Sequence, residues 1–152
     1  MADRTVESEF GSQYEIPGFI TWLVKNRYLE DMSWHNDACP SFGVTGVIRG
    51  TRENPQGYST GETRVFVEHP WQSMRQIPGK RFNVSHVTSA GDDYEGEEFN
   101  ELEEAMEKLF ETIVEHWDDY ETTPGVWSLL LDDAGGDARE ALYILKKKYY
   151  HP

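Results

Sequence analysis

The chain has 152 residues and a formal net charge of −14, from 28 acidic and 14 basic residues. Its single cysteine excludes an internal disulfide framework, and no apolar run approaches the roughly 18 residues that a membrane span needs. An aromatic content of 13% in a chain of this length supports one hydrophobic core without covalent staples. We therefore expect a globular cytoplasmic protein, and its charge disfavours direct binding to nucleic acid or to an anionic membrane.

The first half of the chain is predicted to contain one helix and three strands. Residues 1–14 are polar and unpatterned, so we expect a flexible segment there, followed by a single domain over 15–152. Apolar residues spaced three or four apart after Pro17 predict a helix over 17–28. Further on, β-branched and aromatic residues alternate with polar ones, as in an antiparallel meander. The three strands are expected over 43–49, 63–69 and 81–88.

The second half is predicted to be mainly helical. Apolar residues that recur every three or four positions predict a long helix over 97–120. The segment 124–133 is compatible with either a short helix or a strand. Asp137 and Glu140 have the spacing of a capping box and predict a last helix over 137–149. The whole order is typical of a small α+β domain in which a three-stranded sheet packs against helices.

Nearly all of the net charge lies in residues 92–121. This window holds 14 acidic residues against one base, Lys108, so that it carries −13 of the total of −14. The helical period places a set of acids on or beside one face, opposite the apolar stripe. This set, our candidate partner-binding surface, consists of Glu97, Glu101, Glu104, Glu107, Glu111, Glu115 and Asp118. Like charges one turn apart cost a helix a few tenths of a kcal/mol per pair, so a function is expected to retain them.

A row of carboxylates one helical turn apart imitates the charge of a nucleic-acid backbone. We therefore predict a non-enzymatic protein that inhibits a basic nucleic-acid-binding partner, such as a nuclease or defence enzyme. In size and charge the chain resembles the small acidic inhibitors encoded by phages, plasmids or toxin–immunity loci. Three alternatives remain open: the acidic face only keeps the protein soluble, the protein is a structural subunit of a larger assembly, or it is a small metal-binding protein or enzyme that uses His35, Asp37 and Cys39.

The stretch 33–44 contains the candidate metal ligands. His35, Asp37 and Cys39 alternate, so in an extended segment their side chains would point the same way, as a metal-binding protein or enzyme would need. The spacing lacks the paired cysteines or histidines of known zinc motifs. Pro40 forces Cys39 into an extended shape, and cysteine is among the most buried residue types. We favour a buried corner between the first helix and the sheet, with no cofactor and no catalytic residue.

Overall fold

A computed structural model describes residues 6–10, 14–33, 39–45, 61–77, 79–88, 96–117 and 125–150. Within these ranges the chain forms a five-stranded antiparallel sheet whose strands follow one another in chain order. The strands are β1 (Glu30–Asp31), β2 (Ser41–Thr45), β3 (Gly61–Val67), β4 (Phe82–Thr88) and β5 (Glu97–Phe99). The α+β class and the antiparallel meander are confirmed. One short strand is added at each edge of the three that the sequence predicts.

The helices lie before and after the sheet in the chain. They are α1 (Val6–Phe10), α2 (Gly18–Lys25), α3 (Leu102–Glu115), α4 (Gly125–Asp133) and α5 (Ala138–Ile144), and α5 continues as a π-helical turn (Leu145–Tyr149). The segment that the sequence left open is thus a helix. The predicted cap of α5 is present, because the Asp137 side chain accepts a hydrogen bond from the Glu140 backbone N–H at 3.0 Å.

The acidic helix begins later than its periodicity predicts. Glu97–Phe99 do not belong to it, because they pair with β4 as strand β5, with Phe99 opposite Phe82. This pairing adds the Phe99 ring to the core, and the Phe99 carbonyl accepts a hydrogen bond from the Arg81 backbone N–H at 3.0 Å. Glu101 then has extended backbone angles as the N-cap of α3. The predicted end of the helix at 118–120 lies outside the described residues.

One face of the sheet, which we call the inner face, packs against α3. Its side chains follow from the register, because Val65 of β3 lies opposite both Phe42 of β2 and Val84 of β4. These residues are at most 3% exposed and share one core cluster with the buried side of α3. Each large apolar side chain buried in this way contributes about 1.5–3 kcal/mol to folding.

Trp127 attaches α4 to the turn that follows α2. Its side chain is 0% exposed, and its Nε1 donates a hydrogen bond to the Tyr28 carbonyl at 2.7 Å. Its ring also packs against Phe110 of α3, with centroids 5.1 Å apart. Arg27, the residue before Tyr28, has a φ of 69°, a backbone angle that is typical of sharp turns. A single indole therefore connects three helices or helix ends.

Replacing Trp127 by Phe should lower the free energy of unfolding by about 2–4 kcal/mol. The variant leaves a cavity and removes the indole N–H that donates to the Tyr28 carbonyl. Urea denaturation followed by circular dichroism measures the change. Leu129→Ala on the same helix is the matched control, because Leu129 is 70% exposed and its truncation should stay within about 0.5 kcal/mol. Equal losses in the two variants would contradict the anchoring role of Trp127.

Candidate partner-binding surface

The acids of α3 form a row on the side of the helix that faces away from the sheet. The inward side consists of the buried residues Ala105, Met106, Leu109, Phe110 and Ile113. The outward side carries four exposed carboxylates and one that is partly exposed: Glu101, Glu104, Glu107 and Glu115, with Glu111. The 14 residues of α3 span about 21 Å. The apolar stripe thus fixes the rotation of the helix and turns the acids towards solvent.

Two members of the predicted set, Glu97 and Asp118, are not among the residues that the structure places on this row. Glu97 belongs to β5, and its carboxylate is 3.6 Å from the Lys108 Nζ. Asp118 falls outside the described residues. The structure therefore brings together Glu101, Glu104, Glu107, Glu111 and Glu115, and it places Glu97 at the margin of the surface, where Lys108 partly neutralises it.

Helix α5 supplies bases that the sequence window does not contain. The Arg139 Nε donates to Glu111 Oε1 at 3.2 Å, and the Lys146 ammonium contacts both carboxylate oxygens of Glu103. Sequence reasoning missed both pairs, because 28 and 43 positions separate the partners. The available signal was the seven-residue spacing of Arg139 and Lys146, which puts them on one side of α5.

The negative potential of α3 acts on Arg139. Its hydrogen bond to Glu111 is the largest cause that raises the pKa of Arg139, followed by the charges of Glu111 and Glu107. In contrast, within the described ranges no ion pair involves Glu101, Glu104, Glu107 or Glu115. The row is thus partly neutralised along its α5 side. The four glutamates without an ion pair, which we call the crest, remain uncompensated.

Glu115 stands where a carboxylate is unfavourable. It is the last residue of α3, whose last turn contains no base. The carbonyls at a helix C-terminus carry the negative end of the macrodipole and repel an acid by about 0.3–1 kcal/mol. Acids in the first turn, such as Glu104, have the opposite and favourable interaction. Helix stability therefore accounts for Glu104 and does not account for Glu115.

The corner that holds Cys39 is described only in part. Cys39 is 4% exposed, as a buried corner requires, and the adjoining Ser41 backbone N–H donates to Ser33 Oγ at 3.3 Å. His35 and Asp37 lie outside the described residues, so a metal site on them stays a prediction. Among the residues that are described, no group of three or more His, Cys, Asp or Glu is arranged to hold a metal ion.

A stacked histidine pair lies beneath the C-terminal end of α3. His86 of β4 is 0% exposed, and its ring stacks on His116 with centroids 3.8 Å apart and an angle of 9° between the planes. The His86 Nδ1 is 2.6 Å from Thr63 Oγ1. Sequence reasoning missed this pair, although the alternation of β4 puts His86 on the same face as Val84. The stack joins the sheet to the end of the acidic helix.

His69 belongs to a separate cluster. Its Nδ1 accepts a hydrogen bond from the Trp71 backbone N–H at 3.1 Å, and its ring contacts Tyr14 with centroids 5.5 Å apart. Burial is the largest cause that raises the pKa of Tyr14, followed by the charges of Cys39 and Glu68. Thr63 lies opposite His86 in the sheet, and His69 follows Thr63 by six residues. Six residues of extended chain span about 20 Å, so His69 lies far from His86. The two histidines do not converge on one site.

Comparison of the chain with family models, with curated proteins and with solved structures found no match. In the part of the chain that the structure describes, no helix combines the length and the apolar character needed to cross a bilayer. Function is therefore inferred from the acidic row itself.

Replacing Glu115 by Lys should make the protein more stable than replacing Glu104 by Lys, by about 1 kcal/mol at low salt. Both variants change the net charge equally. Only the first places a cation at the helix C-terminus, one turn after Glu111. Thermal unfolding at about 20 mM and at several hundred mM salt measures the difference, which should shrink as screening increases. Equal stability of the two variants at low salt would show that the helix dipole does not govern this surface.

Proposed function

We propose that the protein is a non-enzymatic binding protein whose α3 surface engages a basic, nucleic-acid-handling protein and blocks its access to nucleic acid. The observation that carries this proposal is the uncompensated crest of exposed carboxylates, which continues to Glu115 at the end of the helix. An acid in that place costs helix stability, and binding supplies a reason to retain it.

The spacing of the row suits a partner that binds a phosphate backbone. Acids three or four residues apart are separated by about 4.5–6 Å along the helix axis. Phosphates of one DNA strand follow every 3.4 Å or so, so the row offers roughly two thirds of that charge density. Such a surface steers a basic partner towards contact and disfavours acidic partners.

Exposed charges alone give fast association and modest affinity, so the surface also needs an apolar anchor. Tyr143 meets this need, since it is 57% exposed on α5. It lies four residues after Arg139 and three before Lys146, on the stripe whose bases contact α3. An exposed tyrosine on the helix whose bases contact α3 is the kind of residue that dominates binding energy at protein interfaces.

Reversing Glu104, Glu107 and Glu115 to Lys should abolish binding of the partner. The immobilised protein is exposed to a lysate of its host and eluted at about 50 mM and then at several hundred mM salt, a range that weakens exposed electrostatic contacts. We expect a discrete basic protein that the wild type retains, that salt releases and that the triple variant does not capture. The eluted protein should also lose binding to nucleic acid when the wild type is added back.

The matched control reverses Glu15, Glu30 and Asp133, three exposed acids outside α3. This variant has the same net charge as the α3 variant, so it should still capture the partner if the row is specific. If both triple variants lose capture of the partner equally, the interaction depends on the net charge of the protein and not on the α3 row. A Tyr143→Ala variant should weaken capture without altering its salt dependence. Failure to capture any protein that separates the two triple variants would contradict the proposed function.

A further inference from the structure

The face of the sheet opposite the inner face, which we call the outer face, carries a groove of about 230 Å³. Its floor follows the register, because Phe66 lies opposite Asn83 and Asn83 lies opposite Glu98. Directly opposed residues have Cβ atoms about 5 Å apart, so these three side chains form one row across β3, β4 and β5. Glu68, two residues beyond Phe66, points to the same side and also lines the groove.

The connection between β3 and β4 forms the other wall of the groove, with Ile77 and Lys80 among its lining residues. Arg75 holds this connection in place. Its Nε donates to the His69 carbonyl at 2.7 Å, and its Nη1 donates to Asn100 Oδ1 at 3.1 Å. The guanidinium thus joins the residues after β3 and after β5, and it fixes the position of the connection that forms this wall.

The lining of the groove is suited to a cation on an apolar stem. Aromatic faces attract ammonium and guanidinium groups, and the partly exposed Phe66 ring already has the Arg64 guanidinium 5.9 Å from its centroid. Glu68 and Glu98 add two carboxylates, and in the described part of the chain neither belongs to an ion pair. Sites for drug-sized ligands measure about 300–1,000 Å³, so this smaller volume fits a single side chain.

We propose that the groove binds the cationic group of an arginine or lysine side chain. The alkyl stem would lie on Phe66 and Ile77, and the charge would lie between Glu68 and Glu98. Lys80 lines the same groove and opposes the incoming cation, which keeps the affinity modest. The site is on the opposite face of the sheet from α3, so this inference does not rest on the proposed function.

A neighbouring apolar patch suits the residues that flank such a cation in a peptide. Trp71 and Met74 are 69% and 56% exposed on the same connection. Trp71 is the N-cap of the 3₁₀ turn Gln72–Met74 and Met74 is its last residue, and the Met74 backbone N–H donates to the Trp71 carbonyl at 3.0 Å. An extended peptide that places its basic residue in the groove can therefore rest an adjacent apolar residue on this patch.

The test is a titration of the isotope-labelled protein, followed by nuclear magnetic resonance, with two probes of the same shape. The first probe is arginine blocked at both ends as an amide, and the second is blocked citrulline, its neutral isostere. We expect the arginine probe to shift the backbone signals of Ile77, Asn83 and Glu98, while citrulline leaves them in place. Equal responses to the two probes, or no response at these residues, would overturn the proposal.

Variants of opposite sign make the test specific to charge. Glu68→Gln and Glu98→Gln should each weaken binding of the arginine probe by roughly two- to fivefold, the range of a partly exposed ion pair. Lys80→Gln should strengthen it by a similar factor. The control reverses Glu104, Glu107 and Glu115 on α3, and it should bind the probe as the wild type does. If the Glu68→Gln and Glu98→Gln variants bind the arginine probe with the same affinity as the wild type, the proposed site is wrong.

A blocked tripeptide with leucine on both sides of arginine distinguishes the source of the cation. If it binds more tightly than blocked arginine and Trp71→Ala removes the gain, the groove reads a basic residue within a peptide. If the tripeptide and the single residue bind equally, the groove recognises the cation alone and a small free amine satisfies it. Both outcomes support the shared chemistry, and the signals of Trp71 and Met74 report which of them holds.

Discussion

The seating of α3 on the inner face of the sheet is the contact on which the rest of the molecule depends. Val65 and Val84 lie opposite each other in the sheet, and the buried side of α3 joins their cluster with Met106 and Leu109. Since this packing sets the rotation of the helix, it also decides which carboxylates reach solvent. The stacked pair of His86 and His116 fixes the far end of the same helix against β4.

The charge of α3 is a compromise between packing and repulsion. Burial of its apolar stripe supplies several times the energy that repulsion between neighbouring glutamates removes. Helix α5 reduces the repulsion along one side through Arg139 and Lys146, yet both pairs are exposed, where screening by water keeps an ion pair weak. The bases therefore border the row and leave Glu104 and Glu115 without an ion pair in the described part of the chain.

Sequence periodicity anticipated the features that local patterns determine. The α+β class, the three central strands and the capped start of α5 at Asp137 follow from alternation, helical spacing and one capping residue. The outward position of the acids follows from the same period. Strand β5 was not predicted from the sequence, because a three-residue strand with two glutamates has no detectable alternation. It is recognised by its pairing with β4.

Tertiary contacts account for the other omissions. The bases of α5 and the stack of His86 on His116 join residues far apart in the chain, and no local pattern encodes them. The groove on the outer face depends on Arg75, whose hydrogen bonds span the residues after two different strands. The alternation of β3 and β4 could have placed Phe66 and Asn83 on one side, but the folded connection above them could not be read from spacing.

The order of the strands bears on how the molecule assembles. Each strand pairs with its neighbour in the chain, whereas the Trp127 indole meets the Tyr28 carbonyl across 99 positions. Closing a longer loop costs more chain entropy, so the pairings within the sheet carry a smaller closure cost than the contact of Trp127 with Tyr28. The Trp127 ring also packs against Phe110 of α3. Separation of α4 from the core would therefore expose the aromatic surface of Phe110 on the same helix that carries the acidic row.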